Sequence, residues 1–178
     1  KHWRTHKMSQ TQVERLFIKD RTSLMFDQFR LNATLTSGGS YNATLTANLE
    51  RIDTSGTDAI LGTGMSESSG IFTFPATGFY LVSTVAAFSK LGEDSNYNGI
   101  RIEVTTDNSS YNIRAESYDY VPDVAGAYGS MTCSCLVDVT STTNVKVRFN
   151  ARTEANAYVY GSTSANATSF TFQKVGDT

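Results

Sequence analysis

From Leu24 onward the chain is a succession of short β-compatible runs, each closed by a cluster of Gly, Ser, Asn or Asp, at a spacing of about ten residues. Turns this frequent leave no room for long helices, and many short antiparallel strands pack as a sandwich or a barrel. Phe26, Phe29 and Leu31 open the series, and Ser37-Gly38-Gly39-Ser40 supplies the first turn. Thr44 to Ile52 is expected as a second strand, and Gly70-Ile71-Phe72-Thr73-Phe74-Pro75 as another, broken at Ala76-Thr77-Gly78. Phe79 to Phe88 is a near-continuous apolar run, the pattern of a strand buried on both faces. Ile100-Arg101-Ile102-Glu103-Val104 alternates, apolar side chains inward and charged ones outward, and Asp107-Asn108-Ser109-Ser110 reads as a hairpin loop into Tyr111-Asn112-Ile113-Arg114. Met131 to Val139, Val145 to Phe149, Ala157 to Tyr160 and Phe170 to Val175 complete an all-β set.

Composition agrees. Ser and Thr make up roughly a quarter of the 178 residues, with nine Tyr and ten Phe, whereas charged residues are only 18%. That is a strand-and-turn vocabulary rather than a helical one. The length suits one domain plus an extension. A net charge of −2 argues against a nucleic-acid-binding surface over the whole molecule, and no apolar stretch is long enough for a membrane-spanning helix. The opening Lys1-His2-Trp3-Arg4-Thr5-His6-Lys7 has no apolar segment behind it and so is not a secretory signal, although a signal cleaved before Lys1 would leave no trace.

The chain therefore divides into an arm, 1–23, and a β domain, 24–178. In the arm, Val13, Leu16 and Phe17 fall on one side of about one helical turn, and Trp3, Arg4 and Lys7 precede them. A helix this short is marginal alone in water, and its apolar cluster calls for burial against something else. Trp3, Arg4, Lys7, Val13, Leu16 and Phe17 are the expected anchoring residues; a frayed terminus is the competing reading.

Little in the domain reads as chemistry. His2 and His6 are the only histidines and both lie in the arm, which leaves no His-dependent triad, and neither a G-x-S-x-G elbow nor a phosphate loop is present. Glu93, Asp94, Asp119 and Asp123 fall in loop-like stretches where solvated charge is the simplest reading over a glycosidase pair or a calcium site. Cys133 and Cys135, at i and i+2 of a strand, share a face at the edge of disulfide geometry and are read as two small buried thiols. No cofactor and no metal are expected, and the chain is not read as an enzyme. The sequons at Asn32, Asn42, Asn108 and Asn166 are about as many as this Ser/Thr/Asn content gives by chance.

The segment Ser69-Gly70-Ile71-Phe72-Thr73-Phe74-Pro75-Ala76-Thr77-Gly78-Phe79-Tyr80-Leu81-Val82 resembles the strand–turn–strand signature of complement globular-head and tumour-necrosis-factor-like (TNF-like) jelly rolls. Met131 to Val139, Val145-Lys146-Val147-Arg148-Phe149 and Thr168-Ser169-Phe170-Thr171-Phe172 resemble the later strands of the same domain, in matching order. The resemblance implies a jelly-roll β-sandwich and a compact homotrimer with an aromatic contact, for which Phe149, Tyr158, Tyr160, Phe170 and Phe172 are the candidates. The Ser/Thr/Asn-rich strands, Asn48-Leu49-Glu50-Arg51 and Ile60-Leu61-Gly62-Thr63-Gly64-Met65 look similar to virion proteins of tailed bacteriophages. There the implied role is capsid decoration on the virion surface, with the arm bound to the major capsid protein. Two alternatives stand beside it. One is the head of a phage fibre binding a host receptor or glycan through Tyr97, Tyr118, Tyr120 and Tyr128; the other is a secreted complement-head-like ligand. Neither nucleic acid nor membrane is an expected partner.

Overall fold

The computed structural model describes residues 24–36, 41–53, 56, 60–90, 94–153 and 157–178. The arm, and with it Trp3, Arg4, Lys7, Val13, Leu16 and Phe17, lies outside the described residues, as do the 37–40 turn and Glu93.

Every regular element among the described residues is a strand: β1 (Met25–Leu31), β2 (Leu35–Thr36), β3 (Tyr41–Thr44), β4 (Leu49–Arg51), β5 (Ile60–Leu61), β6 (Ser66–Ser68), β7 (Ile71–Thr73), β8 (Gly78–Lys90), β9 (Ser95–Thr105), β10 (Asn112–Val121), β11 (Tyr128–Val139), β12 (Lys146–Thr153), β13 (Ala157–Val159) and β14 (Ser169–Gly176). They form two antiparallel sheets. The eight-stranded sheet runs β2-β13-β8-β14-β1-β4, with β11 on the other side of β8 and β5 on β1. The six-stranded sheet runs β10-β9-β12-β7-β6, with β3 also on β12. Sequence-distant neighbours, such as β1 beside β14 with Met25 opposite Lys174, make this a jelly roll rather than a meander.

Period-2 alternation turns one face of each sheet inward. Phe72 from β7 meets Phe29 at 5.1 Å, Phe172 at 5.0 Å and Phe149 at 5.6 Å between ring centroids, and Phe149 meets Phe170 at 4.3 Å. This cluster joins both sheets at the centre of the sandwich. Tyr80 is fully buried as well, its hydroxyl donating to the Ala76 carbonyl at 2.9 Å and so tying the 76–78 turn to the core. The signature glycine Gly70 has φ +81°, and a Cβ there would stand 2.1 Å from the Leu45 carbonyl oxygen, so no other residue fits.

Charged side chains are buried as well, Asp27, Arg30 and Glu103 among them. Asp27 on β1 is fully covered and receives Arg51 in a two-point contact, Nε to Oδ1 at 2.9 Å and Nη2 to Oδ2 at 3.0 Å. The backbone N–H of Met65 donates to the same carboxylate at 2.6 Å, and Arg51 donates to the Met65 carbonyl at 2.6 Å. Asp27 thus pins the stretch after β5 onto β1. The hydrogen bond to Asp27 holds the Arg51 guanidinium above its ordinary pKa, desolvation opposing it.

The structure corrects the sequence reading in three places. Thr44 to Ile52 is not one strand: β3 ends at Thr44, the Leu45 N–H turns to the Phe149 carbonyl, and Asn48 takes a left-handed φ of 60° before β4 begins. Phe79 to Phe88 is buried on one face only within a single chain. Tyr80, Val82, Ala86 and Phe88 point into the core, while Leu81 and Val85 are 38% and 40% exposed on the other side. Finally, Phe149, Phe170 and Phe172 are buried in the core of one chain, because their strand parity turns them toward Phe72. They have no surface to offer a second chain.

Candidate interaction surfaces

The two outward faces of the sandwich carry different chemistry. On the eight-stranded sheet, Leu136 of β11 stands opposite Leu81 of β8, with Val85 farther along β8. Leu136 is 62% exposed. Ser134 stands opposite Ser83, Thr132 opposite Val85, and Thr171 and Gln173 opposite Ser83 and Leu81 from the β14 side, with Asp138 beyond Leu136 on β11. At the far end of β11, Tyr128 pairs with Ser89, and its ring meets that of Tyr160 edge-on at 6.0 Å. Tyr158, also opposite Ser89, is half-buried. This face carries a few exposed apolar side chains among hydroxyl side chains, with aromatic side chains at one end.

Of the five expected trimer-contact residues, Tyr158 and Tyr160 therefore lie by this face. Tyr128, read as a recognition residue, joins them. Leu81, Val85 and Leu136 were missed. Their signal was present in the apolar residues at both parities of β8, which a strand with one solvated face does not need.

The outward face of the six-stranded sheet is an arginine–tyrosine array. Arg101 on β9 donates from Nε to Glu116 on β10 at 2.9 Å and from Nη2 to the Tyr118 hydroxyl at 2.6 Å, and that hydroxyl donates to Glu116 at 2.8 Å. These bonds hold the Glu116 carboxyl below the usual carboxylate range, the Tyr118 hydroxyl contributing most and Arg101 reinforcing it. Arg152 on β12 donates to the Tyr97 hydroxyl at 3.2 Å and lies over the Tyr97 ring at 4.7 Å. Arg148 pairs with Glu103 at 2.7 Å and covers Tyr111 at 4.1 Å. The Tyr97 and Tyr118 rings meet at 6.1 Å and 85°. Tyr120 is exposed on the same strand as Tyr118.

Two of the four expected recognition tyrosines, Tyr97 and Tyr118, thus belong to this array, and Tyr120 lies exposed farther along β10. The array's arginines were not singled out from sequence. Arg152 and Tyr97 are 55 positions apart, and only the β9–β12 pairing brings them together.

The remaining candidates have structural roles. Asp94 accepts the Asp123 N–H across the loop that joins β10 to β11, and Asp119 accepts the Tyr120 N–H at 2.9 Å. Among the described residues no group of three His, Cys, Asp or Glu side chains is placed to hold a metal ion. Cys133 and Cys135 are free, half-buried thiols on the inward side of β11. Burial, with Cys135 nearby, pushes Cys133 up to about 11.

No family model matches the sequence, and no curated protein matches it. Solved structures do. Murine APRIL at pH 5.0 superposes with a TM-score of 0.60 at 13% identity, covering 85% of this chain and 99% of that one. Eiger TNF from S. frugiperda gives 0.63 at 12% identity, covering 88% of this chain and 95% of that one. At such identities the likeness is one of fold, and it agrees with the strand order and the signature glycines: the chain is an all-β jelly roll of the TNF-like kind.

Proposed function

We propose that the chain is a non-enzymatic structural module that assembles as a homotrimer through the outer face of its eight-stranded sheet and decorates the head of a tailed bacteriophage. The observation that carries the assembly is the exposed row of Leu81, Val85 and Leu136 among Ser and Thr side chains. β8 has the composition of a strand covered on both sides, and a second copy supplies the missing cover. Closed three-fold symmetry gives each copy the same contact and leaves no open edge for further growth. Tyr128, Tyr158 and Tyr160 extend the contact at one end.

Attachment to the major capsid protein is assigned to residues 1–23, with Leu16 and Phe17 filling a groove and Lys1, Arg4 and Lys7 meeting acidic surface. Support for this part comes from the sequence: an apolar cluster that calls for burial, and strands whose composition resembles virion proteins. Three arms on a trimer bind a three-fold lattice point with avidity. The test has two arms. Sedimentation equilibrium should find a trimer that L136K together with V85K converts to folded monomer; a variant that stays trimeric overturns the assembly. Deleting residues 1–23 should abolish co-sedimentation with purified heads while the trimer persists; retained binding overturns the anchoring.

A second reading, a secreted TNF-like ligand, is favoured by the near-complete coverage of APRIL and Eiger TNF. Binding to receptor-bearing cells, with none to phage heads, would establish it in place of the first.

A further inference from the structure

The centre of the arginine–tyrosine array is a gap made by a glycine. Gly99 on β9 stands between Tyr118 of β10 and Arg152 of β12 in register. A Cβ at Gly99 would lie 2.4 Å from one Tyr118 ring carbon and 2.5 Å from the next, so the ring occupies the space a side chain would take. Tyr118 therefore rests on bare backbone as a floor. Its residue remains 39% exposed. Tyr97 stands edge-on to it as a wall, at 85°. Hydrogen bonds from Arg101 and to Glu116 hold the Tyr118 hydroxyl, so the floor is fixed before any ligand arrives.

The arginines around this corner are engaged differently. Arg101 is matched by Glu116, and Arg148 by Glu103. Arg152 meets the Tyr97 hydroxyl and ring, and among the described residues no carboxylate lies in ion-pair contact with it, although Glu116 lies near enough to feel its charge. It is a half-buried guanidinium, oriented by stacking, with donor capacity left over. The exposed part of the Tyr118 ring, with the Arg101 guanidinium 5.8 Å from its centroid, suits the C–H face of a pyranose, and a guanidinium suits a carboxylate in a two-point contact. Glu116 accepts from hydroxyls. The geometry points to a saccharide-binding site on the outer face of the six-stranded sheet that takes a hexuronic acid residue, its ring on Tyr118 and its carboxylate on Arg152.

This site goes beyond the proposed assembly and does not depend on it, since the trimer contact lies on the opposite sheet. The test titrates the full chain with an oligogalacturonate and, in parallel, with its neutral methyl ester, by calorimetry. The acid should bind and the ester at least about tenfold more weakly. R152Q should reduce the affinity for the acid to that for the ester, and Y118A should remove both. G99A, which lifts the Tyr118 ring without removing any contacting group, should weaken both alike. Thermal melts of each variant check folding, and L136K on the other sheet should leave sugar binding unchanged. Equal binding of acid and ester overturns the carboxylate assignment. No binding of either, affinity that survives Y118A, or equal competition by inorganic polyphosphate overturns the site.

Discussion

Asp27 shows what one side chain can hold together. Its carboxylate is buried against Arg51 and the Met65 N–H, so D27N leaves the guanidinium without its counter-charge and loosens the chain after β5. The expected cost is about 3 kcal/mol, the low end for a broken buried pair, because Arg51 itself reaches solvent. Urea unfolding checks this, with D177N, at a carboxylate that is 69% exposed, as a control expected to stay within about 1 kcal/mol. Cys133 offers a pH test. Its thiol holds its proton up to about 11, whereas an unfolded thiol loses it near about 8.5. The favourable contribution is complete below the unfolded value and declines as pH rises toward the folded one. Alkylation of the native protein should accordingly be about a thousandfold slower at pH 8 than at full ionisation. Equal labelling rates in native and urea-unfolded protein would contradict the burial. The residue scale is also where the sequence is least informative about the surface. Tyr97, Tyr118 and Tyr128 look alike in sequence, yet the first two share one sheet face and the third lies on the other.

Among the elements, the β9–β10 hairpin is fixed by its loop. Asp107 accepts from the Ser110 N–H at 2.8 Å, the Thr105 hydroxyl at 2.8 Å and the Ser109 N–H at 2.9 Å. These donors, Ser110 first, hold its carboxyl well below the usual carboxylate range. A depressed value means that the contribution is present above the unfolded pKa and is lost only as pH falls through the folded one. Amide protection at Ser109 and Ser110 should therefore persist at pH 4 and collapse in D107A, as hydrogen exchange would show. Loops of this kind are legible because Asp, Asn and Ser carry their own turn chemistry. Strand limits are less so. Thr44 to Ile52 has the composition of one strand, but β12 claims its first part and β1 its last. β6 escaped notice because Ser66-Glu67-Ser68 has no apolar member, and only its pairing with β7 makes it a strand. In β8 the apolar residues on both faces were legible, and the proposed trimer would account for the outward ones.

For the whole molecule, the trimer makes a thermodynamic prediction. A fold whose outer sheet is covered by neighbours melts at a temperature that rises with protein concentration, and L136K with V85K should remove that dependence. Scanning calorimetry over a hundredfold concentration range reads it directly, and a concentration-independent midpoint for the unaltered chain would contradict the trimer. The jelly roll itself was legible because the Gly70–Gly78 signature fixes the central turn. The different chemistry of the two outward faces was not, since it depends on which strands end up side by side.

The pairing of β1 with β14 has one more consequence. Met25 faces Lys174 across a ladder in which opposed Cα atoms lie about 5 Å apart, so the strand that starts the domain and the strand that ends it meet at one pole. A short bridge could join them, and the chain could be reopened in the exposed 122–127 loop between β10 and β11, giving a permuted protein with the same sheets. The same geometry makes the domain a cassette. It can be set into a loop of an unrelated host protein through a single narrow doorway, so that shuffling between genes would leave both partners intact.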